Sequence, residues 1–207
     1  MGIVASGDEG WNSFAADSEY LYCVKSIDEL TKLFEATGVH ADAIKNRMLA
    51  AILDPESALR AQLTDALNEH VVHAVWHADE VYSGVVPRVE AEAYDASQTS
   101  YELERDLTKV WNAEDDPDTW VIEVTALVKA EVSINLTFYV FDSIDREEIE
   151  LGSESIKRDV ELEVQAFLNC SGVQADTGPE LWNVDVEIAP SDYDVEVGEV
   201  EPDFSDH

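Results

Sequence analysis

Tyr82-Ser83-Gly84-Val85-Val86-Pro87 is where this chain changes its hydrophobic period, and the fold class follows from that change. Upstream of it, apolar residues recur at helical spacing; downstream, they alternate with polar ones. From there to about Asn169 the sequence predicts an antiparallel meander. Val89, Ala91 and Ala93 alternate with Glu90, Glu92 and Tyr94, and Tyr101 and Leu103, with Leu107 and Val110, form a second strand or edge. Glu114–Asp118 is an acidic turn. Trp120–Val132 and Ser133–Phe141 read as two long neighbouring strands, with alternation at Val121 and Glu123 and at Ile134, Leu136, Phe138 and Val140. Asp142–Asp145 turns the chain, Val160–Leu168 is a further strand, Gly172–Gly178 a loop, and Val184–Ile188 a short strand.

The residues before the switch carry helix signals. Ser26-Ile27-Asp28-Glu29 is a capping box, in which the serine accepts from the amide of residue 29 and the glutamate reaches back. The helix it opens places Ile27, Leu30, Leu33 and Phe34 on one face and is expected to stop near Gly38, a favourable residue just past a helix end. A second helix is expected over Ala41–Leu53, with Ile44, Met48 and Ile52 on one face. Asp54-Pro55-Glu56 signals a third start, and Leu59, Leu63, Leu67 and Val71 carry its apolar stripe to Trp76 or Asp79. The class is α+β, with a short α/β segment and helices at the N-terminus followed by a mostly antiparallel sheet. The expected organisation is an N-terminal segment over 1–38, a helical connector over 39–82, a sheet domain over 83–190 and an acidic tail over 191–207. That tail holds seven acids after Pro190 with no Lys or Arg, and is expected to be loosely attached.

Among 207 residues, 12 Lys and Arg stand against 46 Asp and Glu, a net charge of −34, yet 45% of residues are apolar. That apolar content argues against disorder of the whole chain, which requires high charge together with low hydrophobicity. The acids are spread along the chain, as in Val160-Glu161-Leu162-Glu163-Val164, which is how a solvated face is written. This pattern fits a protein adapted to molar salt, where a Debye length of about 3 Å screens self-repulsion. A haloarchaeal cytoplasm is the expected setting. An acidic mimic of nucleic acid is the rival reading, but a mimic concentrates its charge on one surface. Cys23 and Cys170 lie far apart without metal-type spacing, and Cys23 sits in an apolar run, so a buried thiol is expected. No apolar run is long enough for a membrane span and no secretion signal is legible, so no membrane partner is expected. The negative charge also argues against unaided binding of DNA or RNA.

Ile3-Val4-Ala5-Ser6-Gly7-Asp8-Glu9-Gly10-Trp11 is a short apolar run that ends in a carboxylate, the pattern of a buried strand delivering an acid at its tip. Leu21–Val24 follows as a second apolar strand, then Ser26-Ile27-Asp28-Glu29-Leu30. This order resembles the closing portion of a PIN domain, the Rossmann-like nuclease fold, in a branch where a strand ends in Ser-Gly-Asp-x-x-Trp and a later strand leads into a Ser-Leu-x-Glu-Leu-type helix. The resemblance covers roughly the first 35 residues. It departs from the usual pattern at Gly10, where a second Asp is common. It implies that Asp8 is a catalytic and metal-binding carboxylate, the last of an acidic cluster that holds Mg²⁺ or Mn²⁺. The family's earlier acids have no counterpart, because the chain starts only a few residues before. One carboxylate does not hold a divalent ion against water or place a nucleophile in line. The bland reading of Asp8 is a turn residue satisfying amides near the start of the next helix.

The functional expectation is therefore a truncated or split PIN-like protein without nuclease activity on its own. It needs no cofactor alone, takes Mg²⁺ or Mn²⁺ once completed, and has a protein partner supplying the missing strands. The alternative is a non-enzymatic protein-binding module, antitoxin-like or with a partner-binding sheet. A self-contained enzyme ranks last, since no acid–base constellation is legible. His70, His73 and His77 fall on one face of the expected third helix and could bind Zn²⁺, but the spacing lacks His-Glu-x-x-His and packing at a helix edge is the expectation. Trp11, Trp76, Trp111, Trp120 and Trp182 follow no repeating interval and are read as core or rim residues. No phosphate loop, nucleophile elbow or Cys-x-x-Cys pair is present.

Overall fold

The structure, a computed structural model, describes residues 2–5, 11, 21–24, 26–113, 119–174 and 177–202. The chain divides into two compact units, Met1–Met48 with Gln174–Asp176 and Leu49–Val173 with Thr177–His207. In the first, β1 (Gly2–Ala5) and β2 (Leu21–Val24) pair in parallel, with Gly2 opposite Leu21 and Ala5 opposite Val24. Ser26 then caps a helix as expected, its Oγ accepting from the Glu29 amide at 3.2 Å. That helix, α1 (Ile27–Leu53), is one element of 27 residues, where the sequence reading expects two helices separated near Gly38. No proline interrupts the segment, and a single interior glycine weakens a helix by about 1 kcal/mol without ending it. Gly38 does not adopt the left-handed conformation that a glycine past a helix end supplies. Ile44 and Met48 are buried as their spacing predicts, whereas Ile27, expected on the apolar face, is 80% exposed.

In the second unit, Asp54 does not cap the next helix. Its Oδ1 accepts from the Glu56 amide at 3.0 Å in a tight turn, and Ser57 becomes the cap, its Oγ accepting from the Arg60 amide at 3.0 Å. Helix α2 (Ala58–His73) thus begins later than the sequence predicts, and Leu59, Leu63, Leu67 and Val71 form its fully buried stripe as expected. It also ends earlier, at His73 rather than Trp76 or Asp79. The residues beyond become β3 (Val75–Tyr82), rich in β-branched and aromatic side chains that suit a pleated strand once a neighbour is available. That neighbour is β9 (Asp192–Glu199), parallel to β3 with Val75 opposite Asp192 and Tyr82 opposite Glu199. Residues 191–207, expected to be a loosely attached acidic tail, therefore contribute a strand to the fold. Tyr193, Val195 and Val197 alternate with Asp192, Asp194 and Glu196, and Val195 and Val197 are buried.

The main sheet is antiparallel in the order β4 (Arg88–Leu103), β6 (Thr119–Asp142), β7 (Glu147–Ser171), β8 (Asn183–Ile188), with β5 (Lys109–Asn112) also on β6. The two strands expected over 120–141 are one strand of 24 residues. No Gly or Pro lies between Thr119 and Asp142, and the even-numbered residues from Trp120 to Phe138 keep one parity throughout and are all buried. At about 3.3 Å per residue its contour is on the order of 80 Å, far beyond an ordinary strand. The two stretches read separately around Val89 and Tyr101 likewise join into β4, with irregularities at Tyr94 and Thr99 where the register shifts. Helix α2 packs on β4 and β8. The molecule is α+β, with its helices ahead of a mostly antiparallel sheet. No helix among the described residues is long and apolar enough to cross a membrane.

Candidate functional site

Asp8, the carboxylate on which the expected Mg²⁺ or Mn²⁺ site rests, lies outside the described residues, as does the acidic turn at Glu114–Asp118. Trp11 is described and is 45% exposed. Among the described residues, no group of three or more His, Cys, Asp or Glu is arranged to hold a metal ion.

The three histidines expected on one helix face are separated, because α2 ends at His73 and His77 belongs to β3. His70 instead packs into an aromatic cluster. Its Nε2 and the Tyr193 hydroxyl of β9 are hydrogen-bonded at 2.8 Å, and the two rings meet edge to face at 5.9 Å. Trp76 stacks at a tilt on Tyr193 at 5.1 Å and donates its Nε1–H to the Val71 carbonyl at 3.1 Å. Partial burial holds the His70 imidazole below its ordinary pKa, since desolvation disfavours the cation. Beside it lies a depression of about 220 Å³ lined by Ala66, Glu69, His70 and His73 of α2 and Val186 and Ile188 of β8. His70 is thus the tie between α2 and the C-terminal strand. Cys170 is buried opposite Trp120, and desolvation pushes its thiol up to about 12, so it is a packing residue rather than a nucleophile. Cys23 is half-buried, less enclosed than its apolar run suggests.

Among the described residues, the most organised array of functional groups lies on the face of β4, β6 and β7 opposite the core. The odd-numbered residues of β6 occupy it, and at one end Arg88 stands opposite Tyr139. Its guanidinium contacts the carboxylates of Glu90 and Glu148 and lies 5.5 Å from the centroid of the Tyr139 ring, whose hydroxyl donates to Glu90 Oε2 at 3.1 Å. Glu148 and Glu90 together raise the Arg88 pKa, and the hydrogen bond to Glu90 raises that of Tyr139. Further along, Lys157 binds Glu131 at 2.6 Å, Lys129 lies 3.9 Å from Glu161, and Lys109 binds Glu123 at 3.1 Å. Gln165 donates to the same Glu123 oxygen at 2.7 Å. Tyr94 sits where β4 bulges, and its hydroxyl and the Ser155 Oγ of β7 are 2.9 Å apart across the width of β6. Glu90, Ala91, Glu92, Asn135 and Thr137 line a shallow depression of about 320 Å³ on this side.

The sequence reading placed β4 and β6 in pieces and β7 only over Val160–Leu168, against the observed Glu147–Ser171. It gave their polar alternation but not which charges meet, because cross-strand partners depend on register. The β9 strand was findable from the alternation of Tyr193, Val195 and Val197, which the run of acids around them concealed.

No family model matches the chain, and no curated protein or solved structure does either.

Proposed function

We propose that this chain is a non-enzymatic protein-binding module whose recognition surface is the polar face of β4, β6 and β7. The supporting observation is the distribution of scarce cations. Of the 12 Lys and Arg in the chain, Arg88, Lys129 and Lys157 stand on this face and Lys109 on the adjoining β5, each against a carboxylate of a neighbouring strand or of its own. Exposed pairs of this kind contribute little to stability, about 0–1 kcal/mol each, so stability alone is a weak reason to gather them. A fixed alternation of charge on a rigid sheet does fix the register of a complementary surface and penalises the wrong one. The test is capture from a lysate at high salt with the full chain as bait, beside a Lys129→Glu, Lys157→Glu double variant checked for fold by circular dichroism. A stoichiometric protein partner is expected with the parent chain and not with the variant. Equal capture by both, or none by either, rejects the reading.

A second reading is supported by the parallel pairing of β1 with β2 followed by a Ser26-capped helix, the order in which the PIN-like resemblance runs. In it, Asp8 is one carboxylate of a Mg²⁺ or Mn²⁺ site to which a partner chain contributes the remaining acids and strands. The expected result is no Mn²⁺-dependent RNA cleavage by this chain alone. Cleavage that survives Asp8→Ala removes the catalytic role assigned to that residue.

A further inference from the structure

The main sheet is unequally covered along its length. β6 pairs with β7 from Glu147 to Ser171, but β8 covers the outer side of β7 only from Ala166 onward. Among the described residues, the outer edge of β7 ahead of Ala166 has no strand partner, and its first nine residues, 147–155, are exposed on both faces. An open edge is a row of backbone donors and acceptors ready to pair with another strand. The end of this edge is also apolar for so acidic a chain. Ile149 and Leu151 are exposed on β7, and Phe141 (56% exposed) and Ile144 (86%) lie at the β6–β7 turn beside them. Between and beyond these stand Glu147, Glu148, Glu150 and Glu154.

We propose that the edge of β7 from Glu147 to Lys157 receives an extended, Lys- or Arg-rich segment of a partner protein as an added strand. This rests on the protein-binding reading above and names the chemistry of the partner. The added strand's backbone would satisfy the open edge, its apolar residues would cover Ile149 and Leu151, and its cations would face the glutamates. Charge selects this occupant over a second copy of the chain. Pairing β7 with itself about a two-fold axis lays one acid-rich strand end, with Glu147, Glu148, Glu150 and Glu154, beside another, and like charges brought close across a strand pair are destabilising. A nucleic-acid backbone is disfavoured for the same reason. The competing account is that these acids merely guard the edge against aggregation, helped by the irregular register between Phe138 and Tyr139 opposite Gly152 and Glu150.

The two accounts separate with a short fluorescent peptide alternating lysine and valine, and the same peptide N-methylated throughout. Both carry equal charge, but only the first donates backbone hydrogen bonds. Binding to the full chain is measured at roughly 1 M KCl, where the Debye length is about 3 Å and only contact-distance charges count. The parent peptide is expected to bind at least about tenfold more tightly than the methylated one. It should slow amide exchange over residues 147–157, and it should weaken several-fold on a Glu147→Lys, Glu150→Lys variant. Equal affinity for the two peptides, protection elsewhere, or no binding of the parent peptide overturns the edge assignment. If partner capture still depends on Lys129 and Lys157 after such a failure, the binding-module reading stands and only the edge proposal is lost. If the peptide binds but capture ignores those lysines, the assignment of the polar face is the part that falls.

Discussion

Gly38 shows how a single residue can carry two opposite meanings. Read from sequence, it ends a helix; in the fold, it lies inside α1, and a Cβ built there meets no atom within 4 Å. Gly38→Ala is therefore expected to stabilise the chain by about 0.5–1 kcal/mol, because alanine loses less backbone entropy in a helix interior. A denaturant midpoint that moves down instead would indicate a left-handed glycine and a broken helix. His70 offers a second test at this scale. Its pKa is lowered from 6.5 by desolvation in the fold, so the unfolded chain binds its proton first as pH falls. Above 6.5 both states are neutral and the contribution to stability is whole; it is lost as pH falls from 6.5 through the folded value. Urea midpoints measured across that window should decline for the parent chain, and His70→Gln should flatten the part of the slope that this imidazole causes. An unchanged slope in the variant would place the dependence on another group.

At the scale of elements, what the sequence disclosed depended on whether a local signal had a local cause. The stripe of Leu59, Leu63, Leu67 and Val71 and the Ser26 cap are set by residues three or four positions apart, and both were legible. The end of α2, the β3 strand and its pairing with β9 depend on contacts between residues near 75–82 and residues near 192–199, more than a hundred positions away, and were not. The length of β6 was missed for a related reason. Strand continuity past Val132 is settled by β4 and β7 pairing along it, although unbroken parity and the lack of Gly or Pro pointed the same way. Of the candidate site, the polar alternation was readable, while the meeting of Arg88 with Tyr139, Glu90 and Glu148 required the register. The role of β9 yields a prediction that divides the two readings. Truncation after Pro190 removes the buried Val195 and Val197, the hydroxyl partner of His70 and the pairing of β3 with β9, its strand partner among the described residues. Burial of each valine is worth roughly 1.5–3 kcal/mol, so the truncated chain should melt far below the parent or fail to fold. A loosely attached tail could be removed with no change in the melting temperature.

For the molecule as a whole, the question is which electrostatic term dominates, and magnitudes decide it. Two unit charges about 10 Å apart in water interact by roughly 0.4 kcal/mol, and the Debye length falls from about 10 Å at 0.1 M salt to about 3 Å at 1 M. Salt therefore weakens two opposed contributions. One is the set of ion pairs on the polar face, involving Arg88, Lys109, Lys129 and Lys157, all substantially exposed and together worth at most a few kcal/mol. The other is the mutual repulsion of an excess of 34 negative charges distributed over the same folded chain. With 12 cations for 46 acids, most acids have no cation to spare, so repulsion is the larger sum and folding gains from its screening. Thermal stability is expected to rise steadily between about 0.1 M and 2 M KCl, with most of the gain once the Debye length drops below the typical spacing of neighbouring surface charges. Neutralising variants sharpen the test. Replacing acids remote from the polar face, such as Asp65 and Glu69 on α2, by Asn and Gln should raise the melting temperature at low salt and leave it nearly unchanged at high salt. If stability instead falls as salt is added, the ion pairs of the sheet outweigh the net charge, and the adaptation to molar salt inferred from composition is wrong.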